Sequence, residues 1–257
     1  MKIFFVRHAV TQINIDNTAY INNNHQITKH GKLQALETGK YLKTFGKFDL
    51  IISSHRLRTI MTAEIIAKEL NYKKEIIFDK LIAEEISKLC KDNPDCLISF
   101  EKIIEIIKNN ATKSQTDQYN KYKKLIELSK DPFEIFKLKE KQIDLLTEIK
   151  GNTSKEILKK KAKKFLNKLK SYNYNNILVV THGGVINTIQ SIITNTNTNI
   201  VYESNKDIKY YGNYNCCIMG MLFEKNIKKF TLVIPSNILH LVKLINKSSE
   251  SYPPKLL

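Results

Sequence analysis

The sequence predicts an α/β fold: a doubly wound, mostly parallel sheet flanked by helices, with a helical insertion. Two observations predict it. Short apolar runs alternate with amphipathic helical patterns, and a motif bearing histidine or arginine follows directly after each of the three clearest runs. Those runs are "KIFFV" (Lys2 to Val6), "FDLIIS" (Phe48 to Ser53) and "NILVV" (Asn176 to Val180). Each reads as a strand buried on both faces, as in a parallel sheet. Between the first two, Leu33, Leu36, Gly39 and Leu42 give an apolar or small stripe at helical spacing. After the second, Ile60, Ala63, Ile66, Ala67 and Leu70 give another. From about Glu85 to Lys150 the rhythm breaks into a Lys/Glu/Ile-rich stretch with three helical patterns, one opening at "DPFE" with Asp131 as N-cap and Pro132 in the first turn. The α/β pattern resumes at "GNTSKE", where Thr153 and Glu156 have capping-box spacing. "CCIMGMLF" and "KFTLVI" read as a closing hairpin. The expected organisation is one domain over residues 1–247, with the insertion at about 86–150 and a tail at 248–257.

Composition narrows the function classes. The chain has 257 residues, 42% hydrophobic and 26% charged, which suits a soluble globular protein and excludes a disordered one. No apolar run approaches the roughly 18 residues a transmembrane helix needs, and Arg7 interrupts the opening hydrophobic stretch before it can serve as a signal peptide. A cytoplasmic location and no membrane partner are the expectation. Cys90, Cys96, Cys216 and Cys217 show neither CxxC nor zinc spacing and read as reduced thiols. His25, His30, His55 and His240 lack metal-ligand spacing, so neither a metal nor another cofactor is expected.

The net charge is +17. Its densest block, "KEILKKKAKKFLNKLK", is an amphipathic helix in which Leu158, Ala162, Phe165, Leu166 and Leu169 face inward and the lysines face water. Steering of a small acidic molecule by the overall field accounts for such a surface, and nucleic acid is not expected as the main partner. Within the 42 Lys+Arg only three are arginine: Arg7, Arg56 and Arg58. A guanidinium is a planar five-donor fork that grips phosphate or carboxylate bidentately, which an ammonium cannot do. Where lysine serves elsewhere, these arginines mark the places to look for anion chemistry.

Three motifs sit at strand ends. "VRHAVTQIN" supplies Arg7, His8, Thr11 and Asn14; "SSHRLRTIMTA" supplies Arg58 at a helix start; "VVTHGGVI" supplies His182, with Gly183 and Gly184 opening a helix. In open α/β sheets ligands bind outside the carboxyl ends of the strands, so the three should converge on one crevice. Gly-Gly at a helix N-terminus lets backbone N–H groups approach an oxyanion. Two arginines, two histidines and a helix terminus make a pocket suited to a tetrahedral dianion.

These motifs resemble the histidine phosphatase superfamily, the phosphoglycerate mutase-like proteins with an Arg-His-Gly signature. "ITKHGKLQA" is similar to the family's Leu-Thr-x-x-Gly-x-x-Gln-Ala segment, matching at Thr28, Gly31, Gln34 and Ala35. "NCCI" and "SNILHL" resemble its two C-terminal signatures. The resemblance implies that His8 is the nucleophile and forms a phosphohistidine. It implies that Arg7, Arg58, His182, Asn14 and Gly183 bind the phosphoryl group, and that a Glu some two dozen residues beyond the second arginine is the general acid and base. Glu84 fits that position, with Glu85 the neighbouring alternative. The chain departs from the pattern at Ala9 (usually Gly), Val10 (usually polar), Thr59 (usually Ala) and Arg56 (usually Leu), and it lacks the Gly/Trp segment that follows the acid. A more apolar pocket floor is the expectation from Ala9 and Val10.

The resemblance therefore implies a phosphomonoester hydrolase acting on a small phosphorylated substrate. A cofactor-dependent phosphoglycerate mutase is the alternative, although that subgroup carries further arginines and none follows Arg58 here. A non-catalytic module binding polyanions or protein on the same scaffold is a second alternative.

Overall fold

The computed structural model describes residues 1–16, 25–84, 111–129, 153–195 and 214–242, and single positions at 134, 138, 141, 145 and 244. The strands are β1 (Lys2–Arg7), β2 (Leu50–Ser53), β3 (Ile77–Phe78), β4 (Asn176–Thr181), β5 (Ile218–Glu224) and β6 (Lys229–Asn237). The longer helices are α1 (Gln12–Asp16), α2 (Lys29–Leu42), α3 (Leu57–Glu69), α4 (Lys113–Leu128), α5 (Thr153–Lys170) and α6 (Gly183–Thr194). Among the described residues no helix is long and apolar enough to cross a membrane.

The strands form one mixed sheet in the order β3-β2-β4-β1-β5-β6. β1 and β4 pair in parallel at its centre, β2 and β3 continue the parallel half, and β5–β6 is an antiparallel hairpin added beside β1. The central runs are apolar because both faces are covered: Ile3, Phe5, Val6, Ile51, Ile52 and Ile177 to Val180 expose no surface. Each large aliphatic side chain so buried contributes about 1.5–3 kcal/mol. On α5, Ala162, Phe165, Leu166 and Leu169 are buried, as the lysine-rich pattern predicts.

Two expectations need correction. On α2 the buried face is His30, Gly31, Gln34, Ala35, Thr38, Gly39 and Leu42, whereas Leu33 is 48% exposed. That face is partly polar because it packs on the loop after β1: the Val10 N–H donates to Gln34 Oε1 at 3.0 Å. A Cβ on Gly31 would come within 2.5 Å of the Val10 carbonyl oxygen, so the approach requires glycine. Helix α5 begins at Thr153 itself rather than after it. The edge strand β3 is too short to announce itself in the sequence.

By contacts the chain divides into two compact units: Met1–Asp16, Asn22–Glu85 and Leu158–Leu257 form one, and Asn17–Ile21 with Ile86–Ile157 form the other. The sheet belongs to the first. In the second, α4 is closed at its start by a reciprocal capping box, with Thr112 accepting from the Gln115 backbone and Gln115 from the Thr112 backbone. Its sequence signal is Thr112-x-x-Gln115. The Asp131–Pro132 helix start, Glu85, Cys90, Cys96 and the tail lie outside the described residues.

Candidate active site

Strand register brings the three motifs together. Arg7 pairs with Thr181 across β1–β4, and Ser53 with Val180 across β2–β4, so His8, His182 and Ser54 all follow at one end of the sheet. Backbone bonds extend the ladders by one step, His8 N–H to Thr181 O at 2.8 Å and Ser54 N–H to Val180 O at 3.0 Å. Two imidazoles thus meet edge to face, centroids 5.4 Å apart.

Hydrogen bonds fix the proton on each ring. His8 Nδ1 lies 2.9 Å from the Ala9 carbonyl, which can only accept, so Nδ1 carries the proton and Nε2 a lone pair. Arg58 Nη2, which can only donate, is 3.1 Å from His182 Nδ1, so the His182 proton sits on Nε2 and reaches Ser54 Oγ at 3.0 Å. Burial first, then Arg58 and Arg7, hold His8 well below the ordinary histidine value. Burial, Arg58 and His8 do the same to His182. Both rings are neutral at pH 7.

The arginines come from two strand ends. Arg7 closes β1, and its buried Nε meets no hydrogen-bond partner among the described residues. Arg58 lies in the first turn of α3 and is only 3% exposed. The start of α3 is braced by hydroxyls: Thr59 donates to the Ser54 and Arg56 carbonyls, and Thr62 donates to the Arg58 carbonyl while accepting from the Ala9 N–H at 3.0 Å. Ala9 and Val10 are fully buried in the core behind the loop. They offer no accessible surface to the cleft, so the expectation of a more apolar floor is not met.

Glu84 reaches the same place from the 3-10 turn Lys80–Ile82. Asp79 caps that turn by accepting from the Leu81 N–H at 2.8 Å, Lys168 pairs with Asp79 at 2.8 Å, and Thr181 Oγ1 donates to the Ile82 carbonyl at 2.6 Å. Arg56 Nη2 donates to the Glu84 carbonyl at 3.3 Å, so this third arginine braces the carboxylate's own backbone. Glu84 Oε2 lies 3.5 Å from Arg58 Nη2 and 3.6 Å from His182 Nδ1. Oε1 accepts from the Gly184 N–H at 3.2 Å, at the start of α6. A Cβ on Gly184 would stand 3.2 Å from that oxygen, so the second glycine of the pair makes room for the carboxylate. Gly183, its buried neighbour, opens the helix directly after His182.

Asn14 also joins the site. Its Oδ1 accepts from Thr11 N–H at 3.1 Å, Thr11 Oγ1 at 3.0 Å and Asn215 Nδ2 at 3.2 Å. Sequence reasoning did not single out Ser54, Thr62 or Asn215 as parts of the site; for Asn215 the available signal was its place at the head of "NCCI". Cys216 and Cys217 are buried, and burial pushes the Cys216 thiol up to about 12, so neither is a nucleophile. Among the described residues no group of three or more His, Cys, Asp or Glu is placed to hold a metal ion.

Arranged this way, Arg58, His182 and Glu84 lie within 3.6 Å of one another, the neutral His8 ring stands edge to face with His182, and Arg7 closes the strand that leads to His8. Such a set can hold a tetrahedral dianion and shuttle a proton beside it.

Comparison with known proteins agrees. Residues 3–87 match the family model of the histidine phosphatase superfamily (branch 1). No curated protein matches the chain by sequence. Among solved structures, phosphoglycerate mutase from Bacillus anthracis aligns with a TM-score of 0.63 at 18% identity, covering 95% of this chain and 96% of that one. Phosphoserine phosphatase from Entamoeba histolytica, in complex with phosphoserine, aligns at 0.59 and 20% identity, covering 94% and 99%. Alpha-ribazole phosphatase from Shigella flexneri aligns at 0.59 and 16%, covering 92% and 96%. The structural likenesses establish the fold, and the family match covers its first part, from β1 to just beyond Glu84.

Proposed function

We propose that the protein hydrolyses a small phosphomonoester by way of a phosphohistidine on His8. The observation that supports this is the state of His8: neutral, beside His182 and under the charge of Arg58 and Arg7, with Nδ1–H pinned to the Ala9 carbonyl, which leaves the lone pair on Nε2 for nucleophilic attack. Arg7 and Arg58 bind the phosphoryl oxygens, and Asn14, His182 and the Gly183 end of α6 complete the cradle. His8 Nε2 attacks phosphorus while Glu84 protonates the departing alkoxide. Charge that builds on the equatorial oxygens is met by fixed guanidinium groups, which need no reorganisation. Water then attacks the phosphohistidine, Glu84 takes its proton, and inorganic phosphate leaves.

The resting geometry supports this sequence of steps. A phosphate dianion and a carboxylate compete for Arg58, so substrate is accommodated best when the Glu84 carboxyl carries the proton it must later give up. The structural neighbours include proteins that bind phosphoserine and 3-phosphoglyceric acid, and small phosphorylated acids of that kind are the proposed substrate class. A cytoplasmic setting, where such esters occur, suits the reduced thiols.

Purified protein offered p-nitrophenyl phosphate, phosphoserine and 3-phosphoglycerate should release inorganic phosphate. Fast isomerisation of 3-phosphoglycerate in the presence of 2,3-bisphosphoglycerate, with negligible hydrolysis, would make it a mutase instead. Salt-sensitive binding to generic DNA with no turnover of any ester would make it a binding module.

A further inference from the structure

We propose that Asn215 is a positioning residue that sets the working orientation of both His8 and Asn14, an inference that rests on the phosphohistidine reading of His8. Asn215 is 2% exposed, and its amide nitrogen donates to the His8 carbonyl at 2.9 Å and to Asn14 Oδ1 at 3.2 Å. An amide NH2 has two protons, so both are committed. The first bond holds the backbone that carries the His8 ring just beyond the end of β1. The second, with the two bonds from Thr11, gives Asn14 Oδ1 three donors and thereby fixes which way its carboxamide faces. The oxygen is turned toward the clasp, so the NH2 is the end Asn14 can present to a phosphoryl oxygen.

The backbone around Asn215 is strained toward this placement. The Cys217 N–H donates to the Tyr214 carbonyl at 3.1 Å, closing a turn whose third residue, Cys216, has φ 59°. That is a left-handed conformation favoured by glycine or asparagine, and a residue of another type is strained there. The Cys216 N–H is then spent on the Arg7 carbonyl at 3.1 Å, and the Arg7 N–H on the Cys217 carbonyl at 3.2 Å. The two residues directly after Asn215 thus fasten the turn to the end of β1. Asn215 Nδ2 also stands 3.5 Å from His8 Nδ1, where a group of the opposite character would act directly on the ring.

Asn215→Asp tests this, because it keeps the shape and replaces the donor by an anionic acceptor. The carboxylate faces the His8 Nδ1–H and stabilises the imidazolium, and it repels the oxygen of Asn14, turning that carboxamide over. In protein carrying ¹⁵N-labelled histidine rings, assigned with His8→Gln, the wild-type His8 should show a protonated Nδ1 and a bare Nε2. In Asn215→Asp its titration should move up by at least about one pH unit, with the acid limb of kcat moving alongside and KM rising about tenfold as Asn14 loses its donor. Asn215→Thr, smaller and neutral, is the second variant: it should raise KM and blur the ring tautomer without raising the titration. An unchanged His8 titration and tautomer in whichever variants fold would overturn the proposal. The two readings fail separately. If the ring responds but wild-type protein never carries phosphate on His8, the clasp stands and the phosphohistidine reading falls. If phosphohistidine forms and the ring ignores Asn215, the clasp falls.

Discussion

Arg58 Nη2 lies 3.1 Å from His182 Nδ1 and 3.5 Å from Glu84 Oε2, so one buried guanidinium touches both the second imidazole and the carboxylate of the cleft. It keeps His182 deprotonated at Nδ1 and orients Glu84, and in the proposed function it also holds phosphate. Lysine cannot do all three, because an ammonium on a flexible stem lacks the fork. Arg58→Lys should lower kcat/KM by about 10²-fold or more while leaving the melting temperature within a few degrees. Steady-state kinetics with a thermal melt checks this, and near-wild-type kcat/KM would remove Arg58 from the phosphoryl site.

Glu84→Gln keeps the shape and the contact with Gly184 but removes the transferable proton. The rate with an alkyl phosphate should drop about 10²- to 10⁴-fold, and the loss in the first step should be smaller for p-nitrophenyl phosphate, whose leaving group needs no acid. Phosphate should then accumulate on the protein, since the same carboxylate activates water. Equal losses for both leaving groups with no accumulation would assign the proton transfer elsewhere.

Gly184→Ala separates placement of the carboxylate from stability. The added Cβ stands 3.2 Å from Glu84 Oε1, so the carboxylate must shift by a few tenths of an ångström. Alanine suits a helix better than glycine by about 0.5–1 kcal/mol. The variant should be as stable as wild type or slightly more so, yet about tenfold slower. A slower and markedly less stable protein would show that the glycine serves packing instead.

Stability should fall with acid in a way His240 reports. It bonds Thr38 Oγ1 at 3.0 Å, stacks on Tyr41, and burial brings its pKa down from 6.5 to about 4. Because the folded value lies below the unfolded one, the neutral ring's contribution is whole above pH 6.5 and is lost as pH falls toward 4, on the order of 3 kcal/mol in all. His8 and His182, lowered in the same direction, add to the loss. Urea titrations between pH 4 and 7 should show His240→Gln with a visibly flatter dependence than wild type. An identical slope would contradict the burial argument.

What the sequence made legible follows from where the physics is local. β1, β2 and β4 announce themselves because a strand buried on both faces must be apolar throughout, and a parallel sheet puts the residues after such strands at one end. The convergence of Arg7, His8, Arg58 and His182 was readable for that reason. The face of α2 was misread because its partner is a loop with backbone N–H groups to satisfy, so Gln34 is wanted inside and Leu33 is left outside. Apolar periodicity cannot register a polar face that is buried against backbone. For Asn215 the place at the head of "NCCI" is the one sequence signal, because its hydrogen bonds span 207 and 201 positions of sequence and are arranged by a left-handed Cys216 that no glycine betrays. The sequence marks Arg56 as one of three arginines and as a departure from the family's usual Leu; its contact with the Glu84 carbonyl appears only once the two loops are folded together.

The most direct test of the whole account is to quench the protein with base midway through turnover of a ³²P-labelled phosphomonoester and locate the label. Phosphorus bound to His8 Nε2, stable in alkali, lost in acid and absent from His8→Ala together with at least about 10³-fold of the activity, is the predicted result. Turnover that proceeds in wild type without label on His8, or that survives His8→Ala, would contradict it.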